Sequence, residues 1–205
     1  MKASKPKNEG QRIKVLWQYE VLDTVPEAVF EELTQLAALI CGAPIALISL
    51  VDEDRQWFKS KVGLTLSETS RDISMCAHAI LQGDLLIVPD ATLDKRFKDN
   101  PLVVSTPKIR FYAGATLVSP AGYALGTLCV IDQVPRNLTD DQKQALRLLA
   151  RHVMTQLELR RQTLELSCHR DEVGQLKQTL AQAQAEIIRL QRTGNAPKKV
   201  KHVRS

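Results

Sequence analysis

Residues 69–84, TSRDISMCAHAILQGD, gather the side chains best suited to chemistry: Cys76 two residues before His78, just after Arg71 and Asp72. A thiol and an imidazole could act as nucleophile and base, supply half a metal site, or anchor a prosthetic group. Spacing weighs against the first. On a helix, residues i and i+2 lie about 200° apart and do not face each other, whereas on a strand they would share a face. Residues 66–83 read as a helix, opening at Thr69 or Ser70 and stopping at Gly83. No catalytic residue is therefore expected here; Met75 or Cys76 packs inward and His78 lies at a pocket edge. As a metal site the pair lacks a further ligand. Asp72, Cys129 and His152 are available, but nothing in their spacing brings them to Cys76, so no metal is expected.

The elements that would hold these residues follow from pattern. Residues 11–22 place Ile13, Leu16 and Trp17 on one side of a helix. A second helix reads from Thr24 as N-cap, with Glu27 completing a capping box, to Gly42 before Pro44. Its buried stripe is expected to be Phe30, Leu33, Leu36, Ala37 and Ile40. From Ile45 to Val51 both alternating sets are mostly apolar, as in a central strand, and Asp52-Glu53-Asp54 turns it into a second strand through Gln56–Lys59. DLLIVPD is a short strand. A polar stretch of nearly twenty residues, broken by Pro101 and Pro107, follows as a loop. A second hairpin turns at Pro120-Ala121-Gly122, and a last helix opens with Thr139 as N-cap. Two hairpins exclude an all-parallel sheet, so the class is α+β with an antiparallel sheet and helices packed on it.

The last helix continues past the domain. Val173, Leu176, Leu180, Ala183, Ile187 and Leu190 recur at spacings of three and four, an a/d seam. Leu146, Leu149, Val153, Leu157 and Leu164 form an earlier stripe in another phase, with a stutter or hinge expected at Ser167–Arg170. The seam has nothing to bury against on a single helix, so a homodimer through these six residues is expected. The division read from the chain is a disordered basic start over 1–10, a domain over 11–160, a coiled-coil helix over 161–192 and a disordered basic tail over 193–205.

Composition bounds the partners. Among 205 residues with 44% hydrophobic content a real core is expected, and 4% aromatics is too few for a base-stacking surface. The net charge of +5 is confined to the ends: Lys2, Lys5, Lys7, Arg12 and Lys14 oppose only Glu9, and Lys198, Lys199, Lys201 and Arg204 oppose no acid. The body between them is mildly acidic, so no specific nucleic-acid partner is expected. No apolar run spans a membrane, no secretory leader is evident, and Cys41, Cys76, Cys129 and Cys168 form no close pair. A reduced, cytoplasmic setting is expected.

Taken in order, LDTVPEAVFEELTQLAALICGAPIALISLVDEDRQWFKSKVGL, ETSRDISMCAHAI, VPDATLDKRF, NPLV, IRFYAGATLVSPAGYALGTLCVID and LTDDQKQALRLLARHV resemble the GAF domains of bacterial signalling proteins. These stand at the input end of sensor histidine kinases and diguanylate cyclases. The resemblance covers about residues 15–160. It implies a GAF/PAS-like six-stranded antiparallel sheet with helices on one face, a ligand pocket on the other, and first and last helices that carry a dimer interface. On it, Trp57, Phe58, Ser74, Cys76, His78, Arg110 and Tyr112 are the candidate lining of a noncovalent pocket for a small, unidentified ligand. No cofactor is implied: NPLVVSTPKIR lacks the cysteine that would attach a bilin, and the motifs of cyclic-nucleotide GAF domains and of free methionine sulfoxide reductases are not found. The expected role is a sensor in signal transduction, of the two-component type, without an output enzyme of its own. The alternative is a ligandless dimerisation scaffold for a signalling partner.

Overall fold

The computed structural model describes residues 2–194, with side chains to residue 190. It divides into a compact unit over residues 2–161 and a second unit beginning at Gln162. The expected basic tail, 193–205, lies almost wholly outside the described residues.

In chain order the elements are α1 (Glu9–Gln18), α2 (Ala28–Cys41), β1 (Ile45–Val51), β2 (Arg55–Val62), β3 (Glu68–Ser70), a 3₁₀ turn (Arg71–Ile73), α3 (Met75–Gln82), β4 (Leu85–Val88), α4 (Pro101–Val104), β5 (Phe111–Val118), β6 (Ala124–Asp132) and α5 (Asp140–Gly194). The six strands form one antiparallel sheet in the order β3-β2-β1-β6-β5-β4. β1 and β6, apolar on both sides, occupy the centre. Ala46, Ile48, Leu50, Leu128 and Val130 join one core with Leu16 of α1, Phe30, Leu33 and Ala37 of α2, and Leu146, Val153 and Leu157 of α5. Ile45, Leu47, Val51, Cys129 and Ile131 join a second core under α3 and the 91–109 loop, which supplies Ala91, Phe97, Val103 and Ile109. The sheet is thus packed on both faces.

Local chemistry explains most boundaries. Gly42 ends α2 at φ 59°, a left-handed geometry that costs glycine nothing. Thr139 and Gln142 exchange hydrogen bonds at the start of α5, Gln142 N–H to Thr139 Oγ1 at 3.2 Å and Thr139 N–H to Gln142 Oε1 at 3.0 Å, a complete capping box.

Several expectations are corrected. Thr24 and Glu27 do not box α2: Thr24 donates to the Val21 carbonyl, and the N-cap of α2 is Glu27, whose side chain makes no cap bond. Both side chains are taken instead by Lys59, a stronger electrostatic partner. Leu36 and Ile40 are exposed, and Thr34 and Cys41 occupy the buried positions of the stripe. The helix expected over 66–83 begins only at Met75, because Glu68–Ser70 pairs with Arg55–Trp57 as an edge strand. Glu9, expected in a disordered start, opens α1 and forms ion pairs with Arg12 and Arg71, both nearly fully buried. At Ser167–Arg170, and at Gly174, α5 continues as helix, as a stutter allows and a break at a hinge does not.

Candidate functional site

α3 presents the chemistry of the opening stretch to the second face of the sheet. Ser74 caps it, its Oγ accepting the Ala77 N–H at 3.0 Å and donating to Gln56 Oε1. Asn100 clamps the turn before it to α4, donating through Nδ2 to the Ile73 carbonyl at 2.9 Å and accepting the Leu102 N–H at 2.9 Å. On this helix Cys76 and His78 diverge. His78 lies half-buried, edge-on to Phe97 with ring centroids 4.8 Å apart, while Cys76 points into the sheet.

There Cys76 meets a group of polar side chains that its own segment gives no hint of. Its sulfur is 3.9 Å from Cys129 Sγ and receives the Tyr112 hydroxyl at 3.4 Å; Tyr112 Oη is 3.5 Å from Thr127 Oγ1. The tyrosine reaches this point because it lies over Gly114, where a Cβ would come 2.2 Å from the Tyr112 hydroxyl. Ser49, opposite Thr127 in the β1–β6 register, adds a fully buried hydroxyl with no hydrogen-bond partner. Burial opposes ionisation of the Cys76 thiol. Hydrogen bonding from Cys129, Thr127 and Tyr112 outweighs that cost and draws it below an ordinary thiol. Cys129, tied to that sulfur and equally buried, is held well above an ordinary thiol, and burial beside Cys76 raises Tyr112 likewise.

The seven candidate ligand residues are not gathered into one cavity. Cys76 and Tyr112 touch, and Phe58 belongs to the same core. Trp57, its neighbour on β2, packs into the opposite core, and the two border a separate groove with Asp23, Thr24, Lys59 and Lys61. Ser74 is spent on the cap, and Arg110 donates to the carbonyls of Val103 and Ile109 at 2.9 and 3.1 Å. A groove of about 390 Å³ opens elsewhere, between α5 and β5. Ala115, Ala150 and Met154 form its floor, and Thr116, Arg147 and Arg151 its polar edge. Sequence reasoning missed it because its walls come from segments some thirty residues apart. The apolar stripe expected to pair chains lies along α5: Val173, Leu176, Leu180, Ala183, Ile187 and Leu190 are all exposed.

Among the described residues no group of three or more His, Cys, Asp or Glu side chains is placed to hold a metal ion, and no helix is long and apolar enough to cross a membrane.

A family model described as the GAF domain matches residues 25–157. The chain belongs to the GAF family. A curated relative, a cyclic di-GMP phosphodiesterase of Pseudomonas aeruginosa, is 42% identical over 190 residues, which is 92% of this chain and 32% of the relative. The chain therefore spans about a third of that relative's length. This likeness overturns the expectation that the GAF chain stands apart from enzymatic activity, since a protein so similar over nearly the whole chain is named an enzyme. Solved structures share the fold. The GAF domain of a phosphoenolpyruvate-protein phosphotransferase from Coxiella burnetii aligns at TM-score 0.57 with 15% identity, covering 77% of this chain and 98% of its own. A free methionine-R-sulfoxide reductase from Neisseria meningitidis aligns at 0.55 with 18% identity, covering 78% and 96%.

Proposed function

We propose that this chain is the regulatory GAF part of a cytoplasmic system that hydrolyses cyclic di-GMP. It senses a small, noncovalently held ligand and passes its state onward through α5 helices paired in a homodimer. The observation that carries this reading is the reach of the likeness to the phosphodiesterase. Its 190 aligned residues exceed the 25–157 span of the GAF match, so they take in most of the helical tail as well. A tail kept together with the domain is the element that links sensing to output.

The exposed seam supports pairing, because a helix that is apolar along one stripe and unpartnered buries that stripe most economically against a second copy. The space best suited to a ligand is the groove against α5, whose volume falls in the range of small-molecule sites and whose walls include the output helix itself. A ligand acts only through a difference in affinity between two packings of that helix.

The test is expression of the chain in cells carrying a fluorescent cyclic di-GMP reporter. The reading expects the reporter to shift with the native chain and to stay at baseline with Leu180→Lys/Ile187→Lys, a variant that leaves residues 2–161 untouched. A native chain that leaves the reporter unmoved, or a variant that moves it equally, overturns the reading.

A further inference from the structure

The Cys76–Cys129 contact is unexplained by packing alone. A buried core position is ordinarily satisfied by carbon, yet here two thiols from α3 and β6, separated by 53 residues of chain, lie 3.9 Å apart amid three hydroxyl groups. One of the hydroxyls, on Ser49, is fully buried and has no hydrogen-bond partner. The other thiols lack such surroundings. Cys41 is buried on the opposite face of the sheet, where burial pushes its thiol up to about 11 against the lowering influence of Arg136. Cys168 is an exposed side chain on the tail.

We propose that Cys76 and Cys129 are an oxidisable thiol pair, closed to an intrachain disulfide by a hydroperoxide. Cys76 is the attacking sulfur. It stands in the first turn of α3, at the positive end of the helix, and its sulfur receives the Tyr112 hydroxyl at 3.4 Å. The thiolate attacks one peroxide oxygen, the O–O bond breaks, and the departing alkoxide takes the proton Cys76 gave up. The products are a Cys76 sulfenic acid and an alcohol, or water when the oxidant is hydrogen peroxide. Cys129 then attacks the Cys76 sulfur, the S–O bond breaks, and hydroxide leaves as water with the Cys129 proton. Two electrons and two protons pass from the thiols to the peroxide. The Tyr112 hydroxyl, which donates to the Cys76 sulfur, stabilises the thiolate, and Thr127 Oγ1, 3.5 Å from Tyr112 Oη, backs that hydroxyl.

Closure shortens the sulfur separation from 3.9 Å to about 2.0 Å and joins α3 covalently to β6. The Asn100 clamp and the His78–Phe97 contact link α3 and the turn before it to the 91–109 segment. The inference goes beyond the regulatory reading, because the thiol chemistry is the same whatever the domain controls.

The experiment uses the full chain with Cys168→Ser, which removes cross-linking through the exposed thiol. Folded protein is treated with hydrogen peroxide, quenched, unfolded and labelled with iodoacetamide. The expected result is a fall from three labelled thiols to one, Cys41, with a Cys76–Cys129 linked peptide in the digest and recovery of all three on treatment with dithiothreitol. Cys129→Ser, checked for a native circular dichroism spectrum, is expected to leave a Cys76 sulfenic acid that dimedone traps. Should that variant not fold, the linked peptide from the Cys168→Ser protein decides the matter. Three thiols still labelled after peroxide, or thiols lost without a 76–129 link, overturn the proposal.

Discussion

Replacing Glu27 with alanine should destabilise this GAF domain by about 2–3 kcal/mol, because it strands a buried cation. A register shift between Ile48 and Ser49 leaves Lys59 as the extra residue of a bulge on β2, and its side chain turns onto α2 with none of its surface exposed. The ammonium has three partners: Glu27 Oε1 at 2.6 Å, Thr24 Oγ1 at 2.8 Å and the Val25 carbonyl at 2.8 Å. Glu27 also receives Arg160 of α5 at 3.0 Å, and Arg160 reaches the Tyr19 carbonyl at 2.8 Å. Removing one member of a fully buried ion pair costs roughly 3–5 kcal/mol. Here two neutral acceptors remain and the Glu27 side chain is 33% exposed, so the loss falls just below that range, at about 2–3 kcal/mol. In urea the loss corresponds to a fall of about 1 M in midpoint, at a slope near 2–3 kcal/mol/M. The decisive arm is the double variant with Lys59→Met. Removing the charge along with its partner should recover most of the loss, a coupling of about 2 kcal/mol in the double-mutant cycle. A Glu27→Ala midpoint matching the native one, or a cycle with no coupling, would show that Lys59 is solvated and the reasoning wrong.

Further outcomes follow from other contacts. Gly126→Ala should cost at least about 1–3 kcal/mol by urea titration, since its Cβ would fall 1.9 Å from the Ser49 carbonyl oxygen and 2.9 Å from Leu50 Cα, backbone that cannot yield without parting β1 from β6. At Glu9, burial opposes the charge, but hydrogen bonds from Arg12 and Arg71 outweigh it and lower the carboxyl from 4.5 to about 2. Its contribution is therefore complete above pH 4.5 and is lost as pH falls toward 2, a change of about 2 kcal/mol once solvent screening is allowed for. Glu9→Gln should flatten that part of an acid titration followed by circular dichroism, and an unchanged curve would rule the cluster out as its source.

What could be read from the chain was what local chemistry decides. The turns at Asp52–Asp54 and Pro120–Gly122, the two-sided apolar pattern of β1, the Thr139 cap and the Gly42 stop each rest on neighbours within a few residues, and each is in the structure. The divergence of Cys76 and His78 follows from helical geometry in the same way. Long-range partners undid the rest. Thr24 and Glu27 have the spacing of a capping box, but Lys59, more than thirty residues on, claims both. The edge strand Glu68–Ser70 is too short and polar to carry a periodic signal. Trp57 and Phe58 go to opposite cores, as residues alternating along a strand do. The meeting of Cys76 with Cys129 depends on where α3 lands on β6. The alternation of Thr127 and Cys129 does mark one face of that strand, and was the available clue.

The central claim is that the α5 seam pairs two chains, and sedimentation equilibrium on the full protein tests it most directly. The account predicts twice the mass of one chain for the native protein and a single-chain mass for Leu180→Lys/Ile187→Lys. A native protein that sediments as one chain at tens of micromolar, or a double variant that keeps the native mass, would contradict it.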